Sequence, residues 1–182
     1  MAVQRVVLTY ADYAALPDDG RCYELHEGEL SVTPAPTPHH QWVSTNLFRV
    51  LDGHVERHRL GKVFYSPLDV VLSDTIIIQP DLLFLETSRL SLISSRGVEG
   101  PPTLVVQILS PSTAQSDRRT KMQLCLRHGI PYYWIVDPDA RAIEAYVLRE
   151  GSYDLAVRAT GPGPFFLPPF PDLPINPNSI WP

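Results

Sequence analysis

Hydrophobic and polar positions at the start of the chain predict a short helix followed by a β-hairpin. Thr9 can cap a helix that carries Asp12 at its third position, where an acidic residue is favourable. Residues 21–25 and 29–33 are typical of two strands, and residues 26–28 between them are typical of a turn. We therefore expect a hairpin before residue 34.

A long helix is predicted from Thr37 and Pro38 to Arg59. The threonine hydroxyl can cap the first turn, and proline suits the first helical position because no N–H is needed there. Hydrophobic residues then recur at helical spacing, and Gly61 follows the end of the pattern.

The rest of the chain alternates extended hydrophobic runs with a second helix at residues 112–128. The extended runs predict strands over residues 62–72, 76–85, 103–109, 132–136, 142–148 and 153–157. The second and third runs are nearly continuous in Ile, Leu, Val and Phe, as in strands that are buried on both faces. Helices that alternate with strands predict a mixed sheet covered by helices, in an α/β or α+β fold.

Composition limits the class of protein. The chain has 182 residues, 44% of them hydrophobic, which predicts one domain over residues 1–182. The net charge of −5 excludes a generally basic nucleic-acid coat but leaves room for a local basic groove. Eight prolines alternate with large hydrophobic residues within residues 161–182. That segment is too apolar for a solvated linker, so we expect a strap packed on the domain.

Signals for metals, disulfides and targeting are weak. Cys22 and Cys125 form no CxxC pair, so the sequence predicts neither a structural zinc site nor a disulfide framework. The N-terminus lacks a basic region followed by an apolar stretch, and no hydrophobic run approaches about 18 residues. We expect a cytoplasmic protein without membrane contact.

Three polar residues stand within or beside core-like segments. Asp81 follows Pro80 inside a hydrophobic run, and Gln107 lies in the next run, so neither side chain is cheaply buried without a partner. Neighbouring strands would bring them together, with Lys121 on the helix above. The alternatives are that Asp81 bonds backbone groups and that Gln107 is a satisfied buried amide.

Lys121 has a second candidate partner in Asp117, four residues earlier on the same helical face. On an exposed helix this pair would be worth only about 0.2–0.5 kcal/mol. The chain uses 13 arginines but only two lysines, Lys62 and Lys121. A retained lysine suggests a site that needs a compact ammonium rather than a planar guanidinium.

Several motifs together resemble the Uma-two family of restriction-endonuclease-like proteins. The resemblance covers most of the chain and is carried by residues 21–25, 28–30, 36–40, 80–84, 104–113 and 133–138, with Asp117 and Lys121. The family is similar to the PD-(D/E)xK nuclease superfamily. The resemblance implies a restriction-endonuclease-like core: a mixed central β-sheet flanked by helices, with an N-terminal β-hairpin.

The resemblance also implies a Mg²⁺- or Mn²⁺-dependent endonuclease that hydrolyses DNA. Asp81 matches the motif aspartate, and position 107 matches its second carboxylate. The motif lysine would be moved onto the helix at Lys121, and Glu24 is similar to an extra family glutamate that completes the site. Asp81, Gln107 and Glu24 would hold the cation through oxygen, and Lys121 would stabilise charge on the reacting phosphate.

One departure from the family concerns Gln107, where the family has glutamate. An amide oxygen can contact Mg²⁺ but brings no negative charge, so metal binding and water activation should be weaker. Three interpretations remain open: an impaired or inactive nuclease, substitution by another carboxylate such as Asp117, or an engineered change at position 107.

Candidate DNA contacts are few. Arg118 and Arg119, beside Lys121, form the densest basic cluster, and His40 lies at the start of the long helix, where the family also has a histidine. Such groups would position phosphates without reading sequence, although a solvated helix face would look the same. A homodimer is expected only by analogy with nucleases of this class, which often act as dimers because two DNA strands need cutting.

Two other functions remain possible from the sequence. The first is a catalytically inactive nuclease-fold module that binds DNA or a protein partner. The second is a hydrolase of another substrate, because a fold alone does not fix the reaction.

Overall fold

The computed structural model describes residues 6–182, so residues 1–5 of the predicted domain lie outside the described part. The helices are α1 (Tyr10–Ala14), α2 (Pro38–His58) and α3 (Met122–Arg127), with a π-helical segment (Ser116–Lys121) leading directly into α3. Two 3-10 turns span Thr87–Leu92 and Pro177–Ser179. The strands are β1 (Cys22–His26), β2 (Glu29–Thr33), β3 (Gly61–Tyr65), β4 (Val70–Ser73), β5 (Ile76–Ile78), β6 (Leu82–Glu86), β7 (Ile93–Ser94), β8 (Gly97–Glu99), β9 (Leu104–Ile108), β10 (Tyr132–Asp137), β11 (Ala142–Arg149), β12 (Ser152–Ala159), β13 (Phe165–Leu167) and β14 (Phe170–Ile175).

A six-stranded mixed sheet forms the centre, in the order β12-β11-β10-β9-β6-β3. Strands β9 and β10 run parallel, and the other neighbouring pairs are antiparallel. Helix α2 packs on one face through buried residues that include Val43 and Leu47. Helix α3 contributes Leu124 and Cys125 to the hydrophobic cluster on the other face. The predicted α+β fold with a mixed sheet flanked by helices is confirmed.

A second six-stranded sheet, in the order β2-β1-β5-β4-β8-β7, carries the N-terminal hairpin. Strands β1 and β2 pair antiparallel from Cys22 opposite Thr33 to His26 opposite Glu29. The predicted hairpin is confirmed. It contributes Glu24, which is 1% exposed, to the interior of the molecule.

Local signals set the starts of α1 and α2. Thr9 and Asp12 form the reciprocal contacts of a capping box at α1. At α2, the hydroxyl of Thr37 accepts a hydrogen bond from the backbone N–H of His40, and Pro38 is the first helical residue. The predicted start of the long helix is confirmed, and its position places His40 in the first turn.

Two strand predictions were wrong. The run at 62–72 divides into β3 and β4, and the run at 76–85 divides into β5 and β6. In each run the halves belong to different sheets, and a proline, Pro67 or Pro80, lies between them. Proline has no N–H to continue a strand ladder, so the chain leaves one sheet and enters the other there. Asp81 consequently stands at a crossing between the two sheets.

The C-terminal segment contains the antiparallel pair β13–β14, which packs on the α2 side of the central sheet. Phe165, Phe170 and Trp181 are buried in that cluster, and the indole N–H of Trp134 donates to the carbonyl of Pro168 at 2.7 Å. Among the described residues, no helix is long and apolar enough to cross a membrane.

Candidate active site

The candidate site lies where β3 ends, β6 begins and β9 ends. Strands β6 and β9 pair antiparallel with Leu82 opposite Val106, so Asp81 and Gln107 are neighbours at the same edge. The Asp81 Oδ2 atom accepts a hydrogen bond from the backbone N–H of Ile108 at 2.7 Å. Strand register therefore brings together the two polar residues that the sequence placed in separate hydrophobic runs.

His40 contacts Asp81 from the first turn of α2. Its Nε2 atom lies 3.2 Å from Asp81 Oδ1 and 3.1 Å from the carbonyl oxygen of Ile108. Burial lowers the pKa of the His40 imidazole, but these two acceptors raise it more, so the net pKa lies above its usual 6.5. His40 thus fixes one oxygen of the Asp81 carboxylate while Ile108 fixes the other.

Lys121 is buried between two carboxylates, those of Glu24 and Asp117. Its Nζ atom lies 3.1 Å from Glu24 Oε2 and 3.3 Å from Asp117 Oδ1, and the residue is only 5% exposed. Burial alone would lower the pKa of Lys121, but Glu24 and Asp117 raise it above its ordinary value. The ammonium is therefore charged at neutral pH.

The two carboxylates beside Lys121 differ in their acidity. Burial raises the pKa of Glu24, but Lys121, His26 and the backbone N–H of Gln79 together lower it below its usual value. That N–H donates to Glu24 Oε1 at 2.6 Å. Burial also raises the pKa of Asp117, and there Lys121 compensates only in part. Glu24 is thus the more strongly ionised partner of the lysine.

Buried polar atoms without a hydrogen bond are concentrated in this region. Within residues 6–182 the side-chain atoms of this kind are Glu24 Oε2, His26 Nε2, His40 Nδ1, Gln79 Oε1, Gln107 Nε2 and Asp117 Oδ1. The Glu24 and Asp117 oxygens contact Lys121 without hydrogen-bond geometry, and His26 Nε2 lies 3.3 Å from Glu24 Oε2. Because buried polar groups are normally satisfied, such a cluster indicates a place that solvent, an ion or a ligand completes.

A cavity of about 550 Å³ gives access to most of these groups. Its wall includes Asp81, Gln107, Asp117, Lys121 and His40. The volume falls within the roughly 300–1,000 Å³ of ordinary ligand sites. The cavity can therefore admit a substrate group to the carboxylates and the ammonium.

The oxygen donors fit a hard divalent cation in type but are low in charge. Carboxylate and amide oxygens are the ligands that Mg²⁺ prefers, and Asp81 and Gln107 place both kinds on one wall of the cavity. Within the described chain, no group of three or more His, Cys, Asp or Glu side chains is arranged to hold a metal. Glutamate at position 107 would add a carboxylate at this edge, whereas Gln107 adds none.

The structure gathers most of the predicted site residues and leaves two apart. Arg118 turns towards the central sheet, where its Nη1 lies 2.7 Å from Glu144 Oε2 and its Nη2 lies 3.6 Å from Asp137 Oδ2. Arg119 is exposed and does not line the cavity. The residues gathered around the site are Glu24, His40, Asp81, Gln107, Asp117 and Lys121. The chemical roles assigned to all eight from the sequence stay predictions.

Among the residues of the cavity wall that the sequence did not single out are Arg49, Tyr65 and Gln79. Arg49 had a usable signal, because residues 41, 45 and 49 recur at helical spacing on a different side of α2 from Val43 and Leu47. Tyr65 and Gln79 had none, because their places depend on how distant strands pair.

Comparison with known proteins points to nucleases. The model of the family named Uma2, described as "Putative restriction endonuclease", matches residues 10–176. No curated protein matches the chain. A solved structure from Anabaena variabilis, titled as a "putative nuclease belonging to DUF820", is similar with a TM-score of 0.78 and 21% identity. The match covers 96% of this chain and 97% of that one, and at this identity it shows a shared fold.

Proposed function

The chain belongs to the Uma2 family, described as "Putative restriction endonuclease", and from this premise we propose a metal-dependent endonuclease that hydrolyses DNA phosphodiester bonds. Its activity is impaired by glutamine at position 107. A homodimer and a cytoplasmic location stay predictions from the sequence.

One observation carries this proposal. Within residues 6–182, the six buried side-chain polar atoms without a hydrogen bond belong to Glu24, His26, His40, Gln79, Gln107 and Asp117, and four of these residues, His40, Gln79, Gln107 and Asp117, line the cavity. Carboxylate, amide and imidazole groups share the wall of this cavity with a buried ammonium. Such a combination is suited to bind a cation and an anionic substrate.

Each residue then has a role that its contacts support. Asp81 and Gln107, which line the cavity, would hold Mg²⁺ or Mn²⁺. The third oxygen donor would be Glu24, a role that rests on the family resemblance. The bound ion would supply an activated water and offset charge on the phosphate. Lys121, held charged by Glu24, stabilises negative charge that develops on the phosphate oxygens. His40 holds the Asp81 carboxylate in position.

A second candidate function is a catalytically inactive nuclease-fold module that binds DNA or a protein partner. The specific observation in its favour is that the described residues contain no three-membered His, Cys, Asp or Glu group arranged for a metal. With Gln107 in place, the cation would bind too weakly for catalytic turnover, while the cavity would still accept a DNA strand.

Cleavage by a Gln107→Glu variant tests the proposal. We expect the variant to cut plasmid and oligonucleotide DNA with Mg²⁺ or Mn²⁺ at least about tenfold faster than the wild type, because a metal ligand gains a full charge. Adding Asp81→Ala to this variant should abolish the gain. The matched control is Gln115→Glu, which makes the same change at an exposed position and should leave the rate unchanged.

The outcomes separate the two candidates. If the Gln107→Glu variant binds DNA and metal but never cuts, the inactive module is supported. If it neither binds metal nor cuts any DNA tested, the endonuclease proposal is wrong.

A further inference from the structure

The cavity extends along α2, well beyond the carboxylates. His40 lines it from the first turn of the helix, and Phe48 and Arg49 line it further along the same helix. Arg49 is nine positions after His40, which corresponds to about 13 Å along the helix axis. The cavity is therefore long enough for more than the single phosphate that the candidate active site would engage.

Tyr65 lines the cavity beside Asp81 and presents an open aromatic ring. Strands β3 and β6 pair with Tyr65 opposite Leu82, and the next residue, Ser66, donates its backbone N–H to the Asp81 carbonyl at 3.0 Å. Tyr65 is 62% exposed, and its ring meets that of Phe48 edge-on, with centroids 5.0 Å apart at 76°. Edge-on packing holds the tyrosine ring in place and leaves a flat face accessible.

Arg49 adds a positive charge next to this aromatic pair. It is exposed, and it forms no ion pair with any residue that the structure describes. Arg118, nearer to Lys121 in sequence, already has Glu144 as a partner. Arg49 is therefore the arginine in the cavity wall whose guanidinium is available for an outside anion.

We propose that Tyr65, Phe48 and Arg49 form a subsite for one unpaired DNA nucleotide. This nucleotide is next to the phosphate that would react at the candidate active site beside Asp81. The base stacks on the Tyr65 ring, and Arg49 binds the phosphate of that nucleotide. The inference rests on the proposed function for DNA as the ligand. It deepens that function by naming single-stranded or locally unpaired DNA as the preferred substrate.

Size and chemistry both favour an unpaired nucleotide. A cavity of about 550 Å³ has the volume of a small-molecule site, and a base that stacks on Tyr65 at its wall must first leave a duplex stack. Stacking on an aromatic ring accepts any base, because every base has a flat π-face. A phosphate contact likewise reads no sequence. The subsite would therefore select DNA by strand state and not by sequence.

Binding measurements test this subsite without cleavage. The probe is a short fluorescein-labelled single strand, titrated by anisotropy with EDTA present, against a duplex of the same sequence. We expect Tyr65→Ala to weaken single-strand binding about tenfold and Tyr65→Phe to change it little, because the ring is retained. Arg49→Gln should reduce the slope of log affinity against log salt by about 0.7, the value for one phosphate contact on a single strand.

Trp42→Ala is the matched control. Trp42 also lies on the surface of α2 and is 57% exposed, but it does not line the cavity. Equal effects of Tyr65→Ala and Trp42→Ala would overturn the subsite, and so would a duplex that binds as tightly as the single strand. If either of these results is found and the protein still cleaves DNA, the proposed function is unaffected. A wild-type protein that binds neither DNA form in EDTA would overturn the subsite, whereas the endonuclease proposal is tested separately by the metal-dependent cleavage of the Gln107→Glu variant.

Discussion

Lys121 and Arg118 lie three residues apart in the same π-helical segment, yet their surroundings differ in kind. Lys121 is buried between Glu24 and Asp117, and its Nζ atom lies 3.1 Å from Glu24 Oε2 and 3.3 Å from Asp117 Oδ1. Arg118 is partly exposed, and it donates to both oxygens of Glu144, at 2.7 and 3.5 Å. The Tyr146 hydroxyl also donates to Glu144, at 2.9 Å.

The two clusters differ in burial and in access to the cavity. Lys121 and Asp117 are buried and line the cavity, whereas Arg118 and Glu144 do not line it. Ion pairs alone would not distinguish them, since both contain short ones. What marks the candidate active site is a pair of buried charged groups, Asp117 and Lys121, at the wall of a cavity.

The largest expected effect comes from Lys121→Met. Removal of one partner from a buried ion pair typically costs about 3–5 kcal/mol, because Glu24 and Asp117 are left without a counter-charge. We expect urea denaturation near neutral pH to show a loss of this size. The control is Lys62→Met at the second lysine, whose pair with Glu56 is more than half exposed and should be worth less than about 1 kcal/mol. Similar losses in both variants would remove the distinction between the clusters.

Asp117→Asn should have an intermediate effect that depends on pH. Burial raises the pKa of Asp117 above its ordinary 3.8, so its contribution to stability is lost as the pH rises through that raised value. Glu24 acts in the opposite sense: its lowered pKa gives stability above its ordinary 4.5 that is lost as the pH falls. The Asp117→Asn substitution removes the pH dependence that comes from Asp117 and keeps the one that comes from Glu24.

We therefore expect the stability of Asp117→Asn relative to wild type to increase as the pH rises from below the ordinary aspartate pKa of 3.8 to neutrality. Urea unfolding at several pH values measures the change. Asp139→Asn, at an exposed position, is the control and should show no such trend. A relative stability that falls with rising pH would mean that Asp117 is stabilised as a carboxylate, as Glu24 is.

Arg118→Met should have the smallest effect. The Arg118 side chain is 36% exposed, and a pair of this kind contributes about 1 kcal/mol or less. Because Glu144 occupies the guanidinium, we also expect DNA affinity and its salt slope to stay within error of wild type. A salt slope reduced by the amount for one phosphate contact would show that Arg118 binds DNA, as the sequence suggested. The two clusters would then act together.

Local sequence signals predicted the parts of the fold that depend on neighbours in the chain. Thr37 and Pro38 marked the start of α2, and residues 26–28 marked the hairpin turn. The divisions at Pro67 and Pro80 were missed, because both halves of each run are hydrophobic and only pairing in different sheets separates them.

The candidate site was predictable to a similar extent. Asp81, Gln107 and Lys121 stood out as polar residues in or beside core-like segments, and the structure gathers them. The direction of Arg118 was not predictable, because the segment is π-helical and regular α-helical spacing does not describe it. Tyr65 gave no local signal, since its place beside Asp81 follows from the register of β3 against β6.

Crystals of the Gln107→Glu variant soaked in Mn²⁺ test the central claim most directly. We predict an anomalous peak in contact with Asp81 and residue 107, and a weaker peak at the same place in the wild type. We predict no peak between Asp137 and Glu144, where Arg118 already neutralises the carboxylates. A variant with no peak at Asp81, or with its Mn²⁺ beside Glu144, would contradict the assignment of the active site.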